Sequence, residues 1–379
     1  MLVSDYTYDL PEERIAKFPP KERGTTRLLV LDKKTGALLD SHYRDLADFL
    51  EPGDVLIMND TRVMHSRLFC TLPDGRKREL VVLEKHGSEP QRVMYRGKLH
   101  EGDVLTVDDS RDVVRTGDRP GGGPPPSPCE VGEEKVWQDP SSSTHVITIK
   151  TILEGGIAEV ESAVPLADLA EKYGSVPLPP YLHRDATAED QERYQTVWAK
   201  NMGSAAAPTA SLNMTDALLE KLRKKGVIIR YLTLHVGLGT FLPIRTDKIE
   251  EHKMHSEWYS IPEDTLSVIK QAKAGGSRVV SLGTTVARTL EYYARTGQPE
   301  GEDDIFIYPG FEFKVVDALL TNFHAPKSTV LMLASAFAGW ENLRRAYQHA
   351  IEAKYNFLSY GDSMLIISPS GGNTKGGSC

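Results

Sequence analysis

The stretch LLTNFHAPKST (319–329) carries the densest group of side chains that could bind a ligand or move a proton. An amide, an imidazole, an ammonium group and a hydroxyl follow one another at Asn322, His324, Lys327 and Ser328, just before an apolar run. Different hydrogen-bonding groups at the start of a helix are typical of a ligand site. A solubilising turn is the alternative interpretation.

Three further stretches place small residues in front of a predicted helix start or after a strand: AAAPTASLNMT (205–215), LTLHVGLGTF (232–241) and VVSLGTTVAR (279–288). A helix start has free N–H groups and a partial positive charge, so it binds phosphates or carboxylates that small residues allow to approach. Polar contacts in the first stretch would come from Thr209, Asn213 and Thr215. Close packing against a neighbouring element explains the small residues equally well.

His235 follows a predicted strand, where it is either a general base or a structural residue, and a polar partner would decide between the two. Such partners are available in EHKMHSEWY (251–259), which contains His255 and Glu257. Its HxxH spacing lacks the HExxH order of the zinc proteases, and HVGLGTF matches neither GxGxxG nor a P-loop. We therefore expect no metal site. NDTRV (59–63) is a further polar stretch after a buried strand, or a turn with an Asx-type cap.

The composition predicts an ordinary globular protein, with 40% hydrophobic and 26% charged residues. No apolar run approaches the roughly 18 residues that a membrane span needs, and the first residues carry acids and prolines in place of a secretory signal. We therefore expect a cytoplasmic protein without a membrane partner. The three cysteines show neither zinc spacing nor a disulfide framework. The net charge of -8 argues against nucleic-acid binding by the whole surface, although basic stretches such as RKKGVIIR (223–230) are candidates for a local patch.

The predicted elements change in kind along the chain. From Thr61 to about Ser162, short runs rich in β-branched residues alternate with turns, which predicts a small all-β insert. The Pro- and Gly-rich loop within it, 109–144, and the tail, 368–379, are expected to be exposed and flexible. Beyond about Val176, strands alternate with helices, which favours an α/β layer arrangement.

Ten stretches in this order resemble a single known family. They are YDLPEERIAKFPPKERGTTRLLVLD, GDVLIMNDTRV, GSVPLPPYLHR, ERYQTVWA, AAPTASLNMT, LTLHVGLGTF, HSEWYSI, SLGTTVARTLE, DIFIYPGFEFKVVDALLTNFHAPKSTVLMLASAFAG and FLSYGDSMLI. The family is that of the S-adenosylmethionine:tRNA ribosyltransferase-isomerases of queuosine biosynthesis. The resemblance runs through nearly the whole chain, apart from the loop and the tail.

This resemblance implies a fold of the α/β (α+β) class. A larger α/β catalytic domain would be built from both ends of the chain, 1–60 and 163–367, and a small antiparallel β-barrel-like domain would be inserted at 61–162.

The resemblance also implies a reaction. The ribosyl part of S-adenosylmethionine is transferred to the aminomethyl group of a 7-deazaguanine at the wobble position of tRNA and isomerised, giving epoxyqueuosine and releasing adenine and methionine. S-adenosylmethionine is then a substrate, so no separate cofactor is expected. The partners would be S-adenosylmethionine and the tRNA anticodon loop, and we expect a monomer.

The chemistry of this reaction suggests roles for particular residues. A sulfonium acidifies the adjacent ribose carbon, so a base is needed beside it, and adenine leaves more readily when an acid or donor contacts its ring. The candidates for proton transfer are His235, His255, Glu257, His324 and Asp362. The candidates for substrate binding are Asp60, Arg62, Thr209, Asn213, Thr215, Gly237, Gly239, Thr284, Thr285, Arg288, Tyr308, Asn322 and Lys327.

The sequence departs from the family pattern in two motifs. AAPTAGLHFT has become AAPTASLNMT, so Ser211, Asn213 and Met214 replace a glycine, a histidine and an aromatic residue, and His65 and Ser66 replace Pro and Ala in NDTRVIPARL. Asn keeps a hydrogen bond that His makes but exchanges no proton near neutral pH. Two alternatives to the active enzyme therefore stay open: a relative that binds S-adenosylmethionine or tRNA without catalysis, and a small-molecule transferase without a tRNA partner.

Overall fold

The computed structural model describes residues 1–83, 91–108, 145–237, 244 and 246–368. The chain divides into two compact units. The larger unit comprises Met1–Val63, Leu178–Asp185 and Glu192–Cys379, and the smaller comprises Met64–Pro177 and Ala186–Gln191.

The strands of the described residues are, in chain order, β1 (Arg27–Asp32), β2 (Leu38–His42), β3 (Val55–Asn59), β4 (Thr61–Val63), β5 (Arg67–Thr71), β6 (Lys77–Val82), β7 (Gln91–Arg96), β8 (Val104–Val107), β9 (Val146–Leu153), β10 (Ile157–Ser162), β11 (Asn201–Ser204), β12 (Ile228–Leu234), β13 (Glu257–Ser260), β14 (Val279–Leu282), β15 (Glu300–Asp303), β16 (Ala318–Asn322) and β17 (Ser363–Ile367). The α-helices are α1 (Leu166–Tyr173), α2 (Ala188–Arg193), α3 (Asp216–Lys225), α4 (Glu263–Gly275), α5 (Thr284–Thr296), α6 (Thr329–Ala338) and α7 (Trp340–Glu352).

The larger unit is built on a mixed sheet, which has nine strands in the described part of the chain, in the order β15-β13-β12-β3-β14-β16-β17-β1-β2. Strands β12, β3, β14 and β16 run parallel to one another, whereas β13 runs antiparallel to β12 and β17 runs antiparallel to β16. The central strand β3 is buried on both faces, because Val55 and Ile57 belong to one core cluster and Leu56 and Met58 to the other. Continuous apolar runs such as VLIM are typical of such doubly covered strands.

The smaller unit is a closed antiparallel barrel, in which the described strands follow the order β10-β7-β6-β5-β8-β9. Strands β9 and β10 form a hairpin that turns at Gly155 and Gly156, both with positive φ, as the Gly-Gly pair predicts. The predicted fold class, an α/β domain from both ends of the chain with an inserted antiparallel barrel, is confirmed. The predicted loop at 109–144 and nearly all of the tail lie outside the described residues.

Two helices differ in their fit to the sequence pattern. Helix α3 begins after Thr215, whose hydroxyl accepts the N–H of Leu218 at 3.2 Å, and ends at Gly226 with φ 95°, as a threonine before a helix and a glycine after it predict. In the stretch TAEDQERYQTVWAKN (187–201), in contrast, the sequence pattern predicts one helix, but only α2 is helical. The residues after Arg193 form turns up to Asn201, where β11 begins and pairs with β4, so tertiary pairing outweighs local propensity at the end of the stretch.

Candidate active site

A cavity of about 430 Å³ lies at the carboxyl-terminal edge of the parallel strands of the larger unit. Strands β12, β14 and β16 all end at this edge, and antiparallel β17 begins there. Open α/β sheets bind their ligands at this edge because the loops that follow the strands meet there. The lining residues are Val3, Tyr181, 206–210, Val236, Ile244, 283–285, 321–328, Val330, Leu358 and Ser359. All three small-residue corners of the sequence therefore reach the same cavity.

A hydrogen-bonded pair of polar side chains forms one part of the wall. The hydroxyl of Thr209 donates to the amide oxygen of Asn322 at 2.9 Å, and the amide nitrogen of Asn322 donates to the carbonyl of Asp362 at 3.4 Å. Asn322 is only 2% exposed, so its amide plane is fixed by these two contacts. The pair joins the corner before α3 to the end of β16.

His324 follows β16 and lies in the wall with its imidazole in contact with Thr321, at 2.8 Å between Nε2 and Oγ1. Burial lowers the pKa of His324 to about 3, because desolvation penalises the charged imidazolium. Its backbone is also held, since its N–H donates to the hydroxyl of Tyr347 at 3.0 Å and its carbonyl accepts the hydroxyl of Tyr8. The ring is therefore neutral and firmly placed at physiological pH.

Two helices begin at the cavity. Helix α5 starts at Thr284 after Gly283, which has φ 95° and no side chain to cap the first N–H groups. Helix α6 starts after Ser328, whose hydroxyl accepts the N–H of Leu331 at 3.2 Å. The hydroxyl of Thr285 is buried and has no hydrogen-bond partner among the residues that the structure describes. The start of α5 thus offers unsatisfied donors to an anionic or polar ligand.

Two of the four non-glycine residues with positive φ in the described part of the chain lie at the same cavity. Lys327 and Leu358 both line it and adopt left-handed conformations, with φ 58° and 69°. For a non-glycine residue this conformation costs about 1–3 kcal/mol and persists where the surrounding structure requires it. Ser359, next to Leu358, is hydrogen-bonded to the hydroxyl of Tyr181, which also lines the cavity. Burial raises the pKa of Tyr181 to about 12, so this hydroxyl stays protonated.

A buried ion-pair cluster lies behind the start of α5. The guanidinium of Arg288 contacts Glu257 at 2.9 Å and Asp303 at 3.6 Å, and all three side chains are at most 8% exposed. Burial raises the pKa of Asp303, and Arg288 opposes that rise. The other carboxylate oxygen of Glu257 accepts the N–H of Gly237 at 2.8 Å. Glu257 and Arg288 thus fix the backbone that follows β12, and neither is among the residues lining the 430 Å³ cavity.

A second group of predicted site residues lies at the ends of β3 and β12, outside the cavity lining. Nδ1 of His235 is 2.9 Å from the hydroxyl of Thr61, and its ring stacks on Trp258 with centroids 5.0 Å apart. Asp60 accepts hydrogen bonds from Thr233 at 2.7 Å and from Asn201 at 3.0 Å. The ring of His235 is therefore held by contacts with neighbouring strands, as expected for a structural residue.

Three other predicted residues make contacts within the protein. The amide of Asn213 donates to the carbonyl of Gly361 at 3.1 Å and lies 3.4 Å from the hydroxyl of Ser363. Thr215 caps α3. The carboxylate of Asp362 accepts the backbone N–H groups of Arg27 and Asn356, each at 2.7 Å, and its burial raises its pKa. None of the three lines the cavity.

The remaining predicted residues are dispersed. Arg62 and His255 are exposed, and Tyr308 packs against the core beside Phe306, with ring centroids 5.2 Å apart. Gly239 lies outside the described residues. The structure thus brings Thr209, Thr284, Thr285, Asn322, His324 and Lys327 together in the cavity wall, and the other candidates among the described residues lie elsewhere.

Sequence reasoning missed Tyr181, Leu358 and Ser359. Tyr181 lies in GSVPLPPYLHR and the other two in FLSYGDSMLI, both within the stretches that carry the family resemblance. Their position in these stretches is the only feature of the sequence that could have indicated them, because the local pattern does not predict a positive φ at a leucine. Within the described ranges no three His, Cys, Asp or Glu side chains are grouped so that they could hold a metal ion. No helix in that part of the chain has the length and apolarity to cross a bilayer.

Comparison with known proteins identifies the family. A family model described as a queuosine biosynthesis protein matches residues 3–366. The S-adenosylmethionine:tRNA ribosyltransferase-isomerases of Chlorobium phaeobacteroides and Pelodictyon phaeoclathratiforme are 50% and 49% identical to this chain, each over 97% of it and 100% of their own length. The crystal structure of an S-adenosylmethionine tRNA ribosyltransferase from Thermotoga maritima is 30% identical, with a TM-score of 0.51, over 96% of this chain and 100% of its own. The chain therefore belongs to the S-adenosylmethionine:tRNA ribosyltransferase-isomerase family of queuosine biosynthesis.

Proposed function

We propose that the protein transfers the ribosyl moiety of S-adenosylmethionine to 7-aminomethyl-7-deazaguanine at the tRNA wobble position and isomerises it to give epoxyqueuosine, with release of adenine and methionine. The observation that carries this proposal is the cavity at the carboxyl-terminal edge of the sheet, in a chain that shares about half of its residues with the ribosyltransferase-isomerases. Its volume lies in the range of small-molecule sites, and its walls combine apolar side chains with a few fixed polar groups.

The start of α5 suits the carboxylate of the methionine part of the substrate. The uncapped N–H groups after Gly283 and the unpartnered hydroxyl of Thr285 are donors, and the helix dipole favours a negative charge at this end. Lys327, which is exposed at the cavity, adds a positive charge. The small side chains of 206–210 leave room for the nucleoside part.

His324 is better suited to hydrogen bonding than to removing the ribose proton. A general base is most effective when its pKa lies near the working pH, and that of His324 is about 3. A bound sulfonium cation would lower this pKa further, because like charges disfavour protonation. We infer that neutral His324, held by Thr321, orients the adenine or the ribose hydroxyls. The hydroxyl of Tyr181, which stays protonated and is hydrogen-bonded to Ser359, is a second polar group of the wall.

The nucleic-acid substrate would be the anticodon loop, whose bases can be unstacked and extruded into a pocket. Burial in the cavity would disfavour the ammonium form of the aminomethyl group and so leave the neutral amine that attacks. We propose that the enzyme acts as a monomer in the cytoplasm.

The position of Asn213 favours catalysis over binding alone. If the histidine of the family pattern had been a proton-transfer group, its replacement would be expected to face the substrate. Instead the amide of Asn213 is 2% exposed and bonded to the carbonyl of Gly361 inside the wall. This supports a packing role at that position, which an amide fills without loss of catalysis.

The direct test is adenine release from S-adenosylmethionine in the presence of tRNA that carries the aminomethyl-deazaguanine. Adenine release that requires the modified base supports the proposal. Measurable binding of S-adenosylmethionine or tRNA without adenine release would instead identify a binding-only relative. Failure of unmodified tRNA to compete at low salt would favour a small-molecule transferase, because phosphate contacts make tRNA binding salt-sensitive.

Two variants on one helix test the carboxylate site. Thr285→Val removes the unpartnered hydroxyl at the start of α5 with little change of shape, and we expect the KM for S-adenosylmethionine to rise about 10-fold for one lost hydrogen bond. Thr296→Val is the matched control, because Thr296 is exposed at the other end of α5, away from the cavity, where its hydroxyl donates to the Tyr292 carbonyl at 3.0 Å and accepts the N–H of Gln298 at 3.3 Å. Equal effects of the two variants would contradict the assignment.

A further inference from the structure

Phe18 stands out on the surface of the larger unit. It is 59% exposed, which is more than any other large hydrophobic side chain in the part of the chain that the structure describes. It is followed by Pro19 and Pro20, which restrict its backbone and that of its neighbours. An exposed aromatic ring on a restricted backbone points to a contact with another molecule.

A guanidinium group covers this ring. The Cζ atom of Arg184 lies 4.2 Å from the centroid of Phe18. The Nε atom of Arg184 donates to the carbonyl of Lys17 at 2.7 Å, and its Nη1 donates to the carbonyl of Asp185 at 3.0 Å. The arginine is therefore fixed by backbone contacts on both sides of the stack, and the pair is pre-organised.

Two short chain segments connect this pair to the cavity wall. Ile15, three residues before Phe18, forms a β-bridge with Phe357. Phe357 precedes Ser359, which lines the cavity, by two residues. On the other side, Tyr181 contacts Ser359 and precedes Arg184 by three residues. Because consecutive Cα atoms are 3.8 Å apart, three residues span at most about 11 Å. The stack therefore lies near the cavity and within the same unit.

The charges around the pair suit an RNA backbone. The segment 12–23 carries Arg14, Lys17, Lys21 and Arg23 against Glu12, Glu13 and Glu22, with Lys17 paired to Glu12 at 2.9 Å, and Arg184 adds a further cation at the ring, in a chain whose net charge is -8. Aromatic rings and arginine planes stack on unpaired bases, and neighbouring lysines contact phosphates. A peptide partner would require an apolar groove around the ring, whereas Phe18 lies among charged residues.

We propose that Phe18 and Arg184 form a platform on which a base of the anticodon loop stacks while the neighbouring wobble base occupies the cavity. This inference rests on the proposed function, since it needs tRNA as the substrate. In this proposal Phe18 and Arg184 position the RNA and do not contact the reacting atoms.

The test compares Phe18→Ala with wild type in binding an anticodon stem-loop and in adenine release. We expect the Kd for the stem-loop and the KM for tRNA to rise about 5- to 150-fold, the range for loss of one base–aromatic stack. The KM for S-adenosylmethionine and kcat at saturating tRNA should not change. Phe18→Tyr, which keeps a stacking ring, should restore binding.

Leu39→Ala is the matched control, because Leu39 is 55% exposed and lies on β2, at the edge of the sheet. A stem-loop Kd of Phe18→Ala within twofold of wild type, or an equal effect of Leu39→Ala, would overturn the platform. Absence of adenine release by the wild-type protein would refute the proposed function. The ratio of the stem-loop Kd of Phe18→Ala to that of wild type tests the platform separately, because it requires no turnover. A wild-type protein that binds no stem-loop would overturn both.

Discussion

Replacing Arg288 by Ala tests how the backbone behind the cavity is held. In the protein its guanidinium neutralises Glu257 and Asp303, whose side chains are 4% and 0% exposed. Removing the cation leaves two carboxylates close together without water or a counter-charge. Breaking a buried pair in this way costs about 3–5 kcal/mol of unfolding free energy, because the remaining charge loses its compensation.

The cost should depend on pH in a defined direction. Burial already raises the pKa of Asp303 above its ordinary value, and without Arg288 the pKa rises further. A carboxyl whose pKa is higher in the folded state than in the unfolded chain costs no stability below the unfolded pKa, since both states are then protonated. The cost develops as pH rises through the folded pKa. The variant should therefore be closer to wild type at about pH 5 than at about pH 8.

Urea unfolding followed by tryptophan fluorescence measures this effect, since Trp198, Trp258 and Trp340 belong to the larger unit. Arg344→Ala is the control, because its ion pair with Glu341 is more than half exposed on both sides and should contribute no more than about 1 kcal/mol. A loss below about 1 kcal/mol in the Arg288 variant, or a loss that grows toward acid pH, would refute the reasoning.

Three further predictions concern residues in or behind the wall. His324→Asn should lower kcat/KM and leave the limbs of the pH–rate profile between about pH 6 and 9 in place, because the pKa of His324 is about 3; loss of a limb would contradict this. Gly203→Ala should lower the melting temperature, at a cost of about 1–3 kcal/mol, because the new Cβ would lie 2.7 Å from the ring of His235. Gly275→Ala, with nothing within 4 Å, is the control and should be neutral or stabilising. Asn213→His should not increase adenine release, and a large increase would identify a lost proton-transfer site.

The sequence was sufficient to locate the cavity because its walls follow from regular elements. Apolar runs such as VLIM and VVSL predict buried strands, and the small residues after them predict helix starts at one edge of a sheet. Thr209, Thr284 and Asn322 were accordingly selected by their position at these corners, and all three line the cavity. The fold class followed from the same alternation together with the family resemblance.

Side-chain partners could not be predicted in the same way. The pattern treats Glu257 and Asp362 as available carboxylates, whereas Glu257 is paired with Arg288 and Asp362 accepts two backbone N–H groups. Glu257 and Arg288 are 31 positions apart in the sequence, and Asp362 and Arg27 are 335 positions apart. Local spacing carries no information on such contacts. The sequence therefore cannot distinguish carboxylates that accept backbone N–H groups from those that face a ligand. The left-handed conformation of Leu358 cannot be predicted from the sequence for the same reason.

The distribution of the wall along the chain has a consequence for how the site forms. Val3 and Ser359, near opposite ends of the described chain, line the same cavity, and the antiparallel pairing of β17 with β16 brings the later segment to the edge at which β12 and β14 end. Contacts of such high sequence separation form late, because the loop-closure entropy must be overcome before they contribute. The strained backbone at Lys327 and Leu358 is maintained by the same packing. Substrate binding should therefore stabilise the larger unit as a whole, since the cavity exists only when its distant segments are assembled.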